Sequence, residues 1–192
     1  MQYSSGMPSG AAPLVAAALR QFAAVGFEGA SLQRIADDAG LSKSSVLYHF
    51  SSKEALFDAA LRPAVEALGT LLEAVDLGDE AGTQDFLSRF VDFLFDHRLA
   101  VTVIVNHGSA LRGFPVIDEA DALVLRVEQL LRPDERSERD TVRFGVALAG
   151  TAFVLVAADR WGTERVPDET LRPMLTSVLA DLVLPGRPLP TA

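Results

Sequence analysis

Residues 42–45 read Ser-Lys-Ser-Ser and are the part of this sequence best equipped to bind another molecule by hydrogen bonding. Small side chains allow a backbone to approach a surface closely, and hydroxyl groups both donate and accept hydrogen bonds. A lysine ammonium group can reach guanine acceptors or phosphates. The chemistry of this segment therefore suits the floor of a nucleic-acid groove.

Motifs for other kinds of chemistry are not found in the sequence. There is no Gly-x-Ser-x-Gly motif, no phosphate-binding glycine loop and no cysteine, and the three histidines do not form a metal-ligand spacing. Asp118 and Glu119 form a carboxylate pair that we interpret as the solvated start of a helix. We therefore expect no catalytic residue, no metal and no cofactor, and an enzyme is the weaker alternative.

Two short helices joined by a tight turn are predicted around residues 42–45. Ser31 is expected to cap the first helix, and Ser42 is expected to cap the second, which extends to about residue 49. Residues 39–41, Ala-Gly-Leu, separate them. Gly40 suits the turn because the backbone conformation usually needed there is costly for residues with a Cβ atom. This pattern predicts a helix-turn-helix.

A helix on each side completes the predicted N-terminal unit. The preceding helix is expected to begin at Pro13 and to end at Gly26, with apolar residues at helical spacing between them. The following helix is expected to open at Ser51, because Glu54 stands three residues later in a capping-box pattern. Its inner face is predicted to consist of Leu56, Phe57, Ala60 and Leu61.

Residues 31–53 resemble the DNA-binding signature of the TetR (tetracycline-repressor) family. In that signature a capped helix carries Ile-Ala, here residues 35–36, and an Ala-Gly-Leu-Ser turn follows, here residues 39–42. The next helix ends in Tyr-His-Phe, here residues 48–50. Residues 17–27 also resemble the first helix of the family, so that the resemblance covers about residues 13–62.

The resemblance implies a DNA-binding transcriptional regulator and assigns roles within this segment. Residues at the start of the third helix are expected to meet base edges, and Gln33 occupies a second-helix position that often contacts bases. Aromatic and basic residues further on are expected to hold phosphates. The expected DNA-binding residues are Gln33, Arg34, Ser42, Lys43, Ser44, Ser45, Leu47, Tyr48, His49 and Lys53.

Two features keep an alternative open. The family often has a tyrosine where this chain has Leu47, and the change removes a hydroxyl group that would contact DNA. Charge gives no strong support either, since residues 1–62 are neutral and the remainder carries the whole net charge of −9, whereas a basic face is the usual footprint of DNA binding. The alternative is a helical protein-interaction module that has lost specific DNA binding. Phe50, and less clearly Tyr48, are also explained as core residues.

Helical periodicity continues to the C-terminus and predicts an all-α fold of about nine helices. The β-branched residues 99–106 have strand propensity, but no partner strand is evident, and we predict a helix there. The apolar run 144–158 is shorter than the roughly 20 residues that span a membrane and is interpreted as a buried helix. The other helices after the fourth are expected at residues 84–97, 115–131, 137–161 and about 170–184.

The expected organisation has four parts: a flexible arm at residues 1–12, a helix-turn-helix DNA-binding domain at 13–62, a ligand-binding and dimerisation domain at 63–184, and a tail at 185–192. The arm is rich in Ser, Gly and Pro. The absence of cysteine and of a signal-peptide pattern favours a cytoplasmic location.

Partners follow from the geometry and from the resemblance. Two recognition helices one turn of DNA apart require a symmetric dimer on a pseudo-palindromic double-stranded operator. Residues 143–161 and 171–184, which are rich in apolar residues, are the expected interface. The resemblance also implies a repressor released by a small-molecule effector, which we expect to be apolar or amphipathic because phenylalanine is abundant. The candidate ligand-binding residues are Phe86, Phe90, Phe93, Asn106, His107, Arg112, Phe114 and Trp161.

Overall fold

The computed structural model describes residues 11–77, 79–130, 138–157 and 166–184. Within these ranges the chain forms nine α-helices and no β-strand, which confirms the predicted all-α class. A short 3-10 turn, Gly108–Leu111, follows the sixth helix. The helices are α1 (Ala11–Gly29), α2 (Leu32–Asp38), α3 (Lys43–His49), α4 (Lys53–Glu73), α5 (Glu80–Asp96), α6 (Arg98–His107), α7 (Pro115–Leu130), α8 (Glu138–Ala157) and α9 (Asp168–Val183).

The first helix differs from its prediction at both ends. Ala11 and Ala12, which were assigned to the arm, lie in α1, and Ala11 is buried because it packs as part of the helix. Gly26 interrupts the regular helix where the sequence predicts an end, with φ 72° and ψ 176°, and one further turn runs to Gly29. A glycine is needed at this kink because other residues rarely adopt that conformation.

The fifth helix begins earlier than predicted. Its N-terminus is at Glu80 instead of residue 84, because the carboxylate of Asp79 accepts a hydrogen bond from the backbone N–H of Gly82 at 2.7 Å. Such a cap compensates for the low helix propensity of glycine in the first turn. The β-branched segment 99–106 lies within α6, as predicted. None of the helices in the described ranges is long and apolar enough to cross a membrane.

One hydrophobic cluster joins the N-terminal helices to α6 and α7. Four aromatic rings lie at its centre, with the ring of Phe57 5.0 Å from that of Phe22 and 5.2 Å from those of Phe27 and Phe114. Phe114 immediately precedes α7. The first three helices therefore pack on residues that are distant in sequence, among them Phe114.

A second hydrophobic cluster joins the C-terminal half of α4 to α5, α8 and α9. The expected domain boundary after residue 62 lies inside α4, which continues through Pro63. At this boundary the guanidinium of Arg62 donates to Asp58 at 2.7 Å and to Glu119 of α7. These two carboxylates raise the pKa of Arg62 above its ordinary value. The fourth helix is thus the continuous element between the two clusters.

Candidate nucleic-acid interface

The predicted helix-turn-helix is present, with both caps in place. The Ser31 hydroxyl accepts a hydrogen bond from the N–H of Arg34 at 3.4 Å, and the Ser42 hydroxyl accepts one from the N–H of Ser45 at 3.2 Å. Between the two helices, Gly40 has φ 67°, with no atom near the position of a Cβ. The structure confirms that this turn uses a conformation that favours glycine.

The third helix is anchored on one side and open on the other. Val46 is fully buried in the first hydrophobic cluster. The opposite side, which we call the outward face of α3, consists of exposed residues: Lys43, Ser44, Leu47 and Tyr48. Lys43 and Leu47 are four residues apart, as are Ser44 and Tyr48, so that all four side chains share one face of the helix. The sequence prediction that this edge is available for binding is consistent with the geometry.

The serines at the start of α3 bond to one another. The Ser42 hydroxyl lies 2.7 Å from that of Ser44 and 2.9 Å from that of Ser45. Each hydroxyl retains acceptor or donor capacity, since one hydroxyl can donate once and accept twice. The cluster fixes three hydroxyl groups at the N-terminal end of α3. In helix-turn-helix proteins this end of the second helix faces the bases.

The Tyr-His-Phe segment is divided between surface and core. Tyr48 is 85% exposed, so the alternative that it is a core residue is wrong. Phe50 is half-buried and packs against the first cluster, as predicted. The ring of His49 lies between them, with its centroid 5.1 Å from that of Tyr48. Tyr48 thus extends from the third helix with its hydroxyl in solvent.

On α2, the two predicted contact residues are both exposed. The amide of Gln33 donates to Asp37 at 2.8 Å, and Arg34 lies beside it. Neither side chain is part of the core, so both are accessible from solvent.

The start of α4 differs from the prediction in its cap, and it shows a structural role for Lys53. Ser52, not Ser51, caps the helix, and its hydroxyl accepts from the N–H of Ala55 at 3.1 Å. A hydrogen bond from Ser52 also lowers the pKa of Glu54. The ammonium of Lys53 donates to the carbonyl of Glu28 at 3.4 Å and lies 4.5 Å from the ring centre of Phe27. Lys53 therefore also ties α4 to the end of α1.

The predicted ligand-binding residues fall into separate places. Phe86, Phe90 and Phe93 form a stacked row in the second cluster, with ring centres about 6 Å apart. Phe114 lies instead among the aromatic rings under the N-terminal helices. Trp161 lies outside the described residues.

The remaining three candidates lie at the end of α6 and just beyond it. Asn106 and His107 are half-buried in the last turn of α6, and Arg112 is exposed. The imidazole of His107 lies against the kink of α1, where a Cβ added to Gly26 would be 3.2 Å from its Cε1 atom. The seven candidates within the described ranges therefore do not surround one common space.

A groove of about 410 Å³ lies between α5 and α9, and none of the described candidate ligand residues lines it. Six of its eight lining residues have polar side chains, and Arg172 among them is paired to Asp92 and Asp96. Its lining residues are Gln84, Ser88, Asp92, Arg172, Pro173, Thr176, Ser177 and Ala180.

A different kind of surface lies on α8 and α9, which pack against each other. Val146 is 61% exposed and Val178 is 53% exposed, although both are apolar. Other exposed hydrophobic residues accompany them. The outer face of α8 and α9, as we define it, comprises Val142, Val146, Phe153, Met174 and Val178.

An N-terminal helix-turn-helix on an otherwise helical body defines a class of DNA-binding protein. Residues 14–60 match the family described as bacterial regulatory proteins, tetR family. Over 53 residues, 28% of this chain, it is 47% identical to the HTH-type transcriptional regulator RutR of Escherichia coli (strain K12). The match thus spans only about a quarter of the length of the curated relatives, 25% in the case of RutR.

Solved structures extend the likeness to nearly the whole fold. A TetR-family transcriptional regulator from Bordetella parapertussis 12822 has a TM-score of 0.70 at 20% identity, over 92% of this chain and 94% of that chain. The ketosteroid transcriptional regulator KstR2 of Mycobacterium tuberculosis has a TM-score of 0.69 at 17% identity, over 95% and 97%. The match to the tetR family is thus confined to the helix-turn-helix segment, and the likeness of the rest of the chain to TetR-family structures is one of fold.

Proposed function

We propose that this protein is a cytoplasmic, DNA-binding transcriptional regulator: a homodimeric repressor that leaves its operator when a small-molecule effector binds. The observation that carries the proposal is the outward face of α3. It presents hydroxyl groups and an ammonium to solvent while Val46 fixes the helix from behind.

The dimensions of α3 suit a DNA groove. An α-helix with its side chains is about 10–12 Å in diameter, and the major groove is about 12 Å wide. Ser44 is small enough to allow close approach, and Lys43 provides a positive charge at the leading end. The exposed hydroxyl of Tyr48 would donate a hydrogen bond to a phosphate at the groove edge.

The proposal is tested by selecting sequences from a random duplex DNA pool with the purified full-length chain. We expect a pseudo-palindromic site that is bound specifically and more weakly at high salt. Lys43→Ala should weaken binding and reduce the salt dependence by about one counterion per subunit. Arg126→Ala is the matched control, because Arg126 is an exposed cation on α7, and it should leave the affinity unchanged.

Selection of no specific site would overturn the proposal. A DNA affinity that changes neither with salt concentration nor in Lys43→Ala would favour the alternative, a helical protein-interaction module without specific DNA binding.

The outer face of α8 and α9 supports the dimer. The valines on these two helices leave apolar area in contact with water, which is unfavourable unless another surface covers it. A second copy of the same two helices would give a four-helix interface and hold two α3 helices at a fixed distance. The interface that we propose extends over residues 143–161 and 171–184, of which residues 158–161 lie outside the described ranges.

The effector proposal rests on the apolar composition of the second cluster, where Phe86, Phe90 and Phe93 stack. A ligand releases DNA only if it binds the non-operator conformation better than the operator-bound one. Apolar and amphipathic compounds should therefore include some that raise the melting temperature and lower operator affinity. If no compound in such a library does both, an apolar effector is the wrong proposal, although DNA binding itself would be unaffected.

A further inference from the structure

We propose that Leu47 reads a thymine in each half of the operator by packing against the C5-methyl group of that base. The inference rests on the proposed DNA-binding function and adds a specificity-determining residue to it. It makes Leu47 a source of sequence preference.

The first observation is the exposure of Leu47 in an otherwise polar surface. Its side chain is 51% exposed, and Lys43, Ser44 and Tyr48 around it all carry hydrogen-bonding groups. Exposed apolar area is unfavourable unless a partner covers it. The adjacent Val46 already provides the anchor of α3 in the core, so that Leu47 is not needed for that purpose.

The second observation is the position of Leu47 within the helix. It lies three residues after Ser44 and four after Lys43, and therefore one turn along the same face. A small residue at position 44 permits close approach of the helix, so that the next turn can also reach the floor of the groove. Tyr48, 85% exposed, extends beside it towards the edge.

The chemistry of the major groove leaves one match for an aliphatic side chain. Base edges there present acceptors and amino groups, and the C5-methyl group of thymine is the apolar feature. A leucine against a phosphate or an amino group would leave that polar group without a partner. Contact with the methyl group instead removes apolar area of both molecules from water.

Replacing thymine by uracil tests the inference, because it removes only that methyl group. After a site has been selected, each symmetric pair of thymines is changed to uracil, one pair at a time, and affinity is measured by fluorescence anisotropy. Burial of one methyl group is worth about fourfold in affinity. We therefore expect a loss of about 15-fold at one pair, because both half-sites contribute.

Leu47→Ala identifies the residue responsible. In this variant the same uracil replacement should have no further effect, whereas Val124→Ala should keep the full loss. Val124 is the matched control because it is also 51% exposed and apolar but lies on α7. Thermal unfolding checks that both variants are folded.

The outcomes separate this inference from the proposed function. A specific site whose thymines all tolerate uracil, or that has no thymine in its half-sites, overturns the role of Leu47 and leaves DNA binding intact. A uracil effect that persists in Leu47→Ala does the same. Selection of no site at all overturns both proposals.

Discussion

Two exposed surfaces of this protein differ in composition. The outward face of α3 has three polar residues and a single apolar one, Leu47, whereas the outer face of α8 and α9 is built from Val142, Val146, Phe153, Met174 and Val178. Both surfaces lie on helices whose opposite sides are anchored in a hydrophobic cluster.

Exposure alone therefore does not identify a partner, whereas the chemistry of the exposed groups does. Hydroxyl and ammonium groups suit a hydrated, charged surface such as DNA, where many contacts are hydrogen bonds. Aliphatic groups suit an apolar surface that excludes water, as in the core of a subunit interface. Substitutions that remove each surface separately test whether the two surfaces bind different partners.

The largest effect should follow from removing the aromatic support of α1–α3. Phe57 is fully buried against Phe22, Phe27 and Phe114, and Phe57→Ala should destabilise the fold by about 3–5 kcal/mol. Denaturant unfolding at fixed protein concentration measures this loss. Leu125→Ala is the control, because Leu125 is exposed on α7, and it should change stability by less than about 0.5 kcal/mol. Equal midpoints for the two variants would contradict the prediction.

Placing charge on the outer face of α8 and α9 should separate the subunits. In the double variant Val146→Asp with Val178→Asp, burial of unpaired carboxylates would oppose association. We expect a monomer by light scattering and an operator affinity reduced by roughly 100-fold, since the second half-site is no longer held in place.

Val124→Asp is the matched control for this double variant and should remain a dimer, because Val124 is equally apolar but lies on α7. A double variant that still has the mass of two chains would refute the proposed interface.

Two glycines provide a finer test of how the N-terminal helices are held. Gly40→Ala should cost about 1–2 kcal/mol, because φ is positive there but the space is open. Gly26→Ala should cost more. The backbone conformation alone would destabilise an alanine by roughly 1–3 kcal/mol, and the new Cβ would also lie only 3.2 Å from the imidazole of His107. The free energies of unfolding of the two variants give the comparison.

His107→Ala in the Gly26→Ala background isolates the contact, since it removes the imidazole and should recover part of the loss. No recovery, or a larger cost for Gly40→Ala, would mean that His107 does not constrain the kink.

The helix-turn-helix could be predicted because its determinants are local. Ser31, Ser42 and Gly40 act on the backbone within a few residues, and their roles follow from the residue type. The choice between Ser51 and Ser52 as the cap of α4 was wrong, since two adjacent serines offer the same chemistry and the path of the chain after Phe50 decides between them.

The candidate ligand-binding residues could not be positioned from the sequence. Phe90 and Phe114 are the same residue type and were predicted to line one ligand site, but they lie in different hydrophobic clusters. Which cluster a phenylalanine joins depends on how helices distant in sequence pack together, and helical periodicity gives only the face on which it lies.

The smallest predicted effect concerns His97, which lies between α5 and α6 with its ring 5.1 Å from that of Phe93. Partial burial lowers the pKa of His97, and the neighbouring Asp96 opposes this only in part. The unfolded chain therefore binds the proton more readily than the folded one. The stability that this neutral histidine permits is present above the ordinary histidine pKa of about 6.5 and is lost as the pH falls below it.

His97→Gln keeps a polar side chain but does not titrate. Between about pH 7.5 and pH 5.5 its melting temperature should fall less than that of the unaltered protein. In the unaltered protein, protonation of His97 favours the unfolded state over this range. All carboxylates are common to both proteins, so that the difference between the two slopes reports on His97 alone. Parallel slopes would show that the imidazole is as well solvated in the folded state as in the unfolded chain.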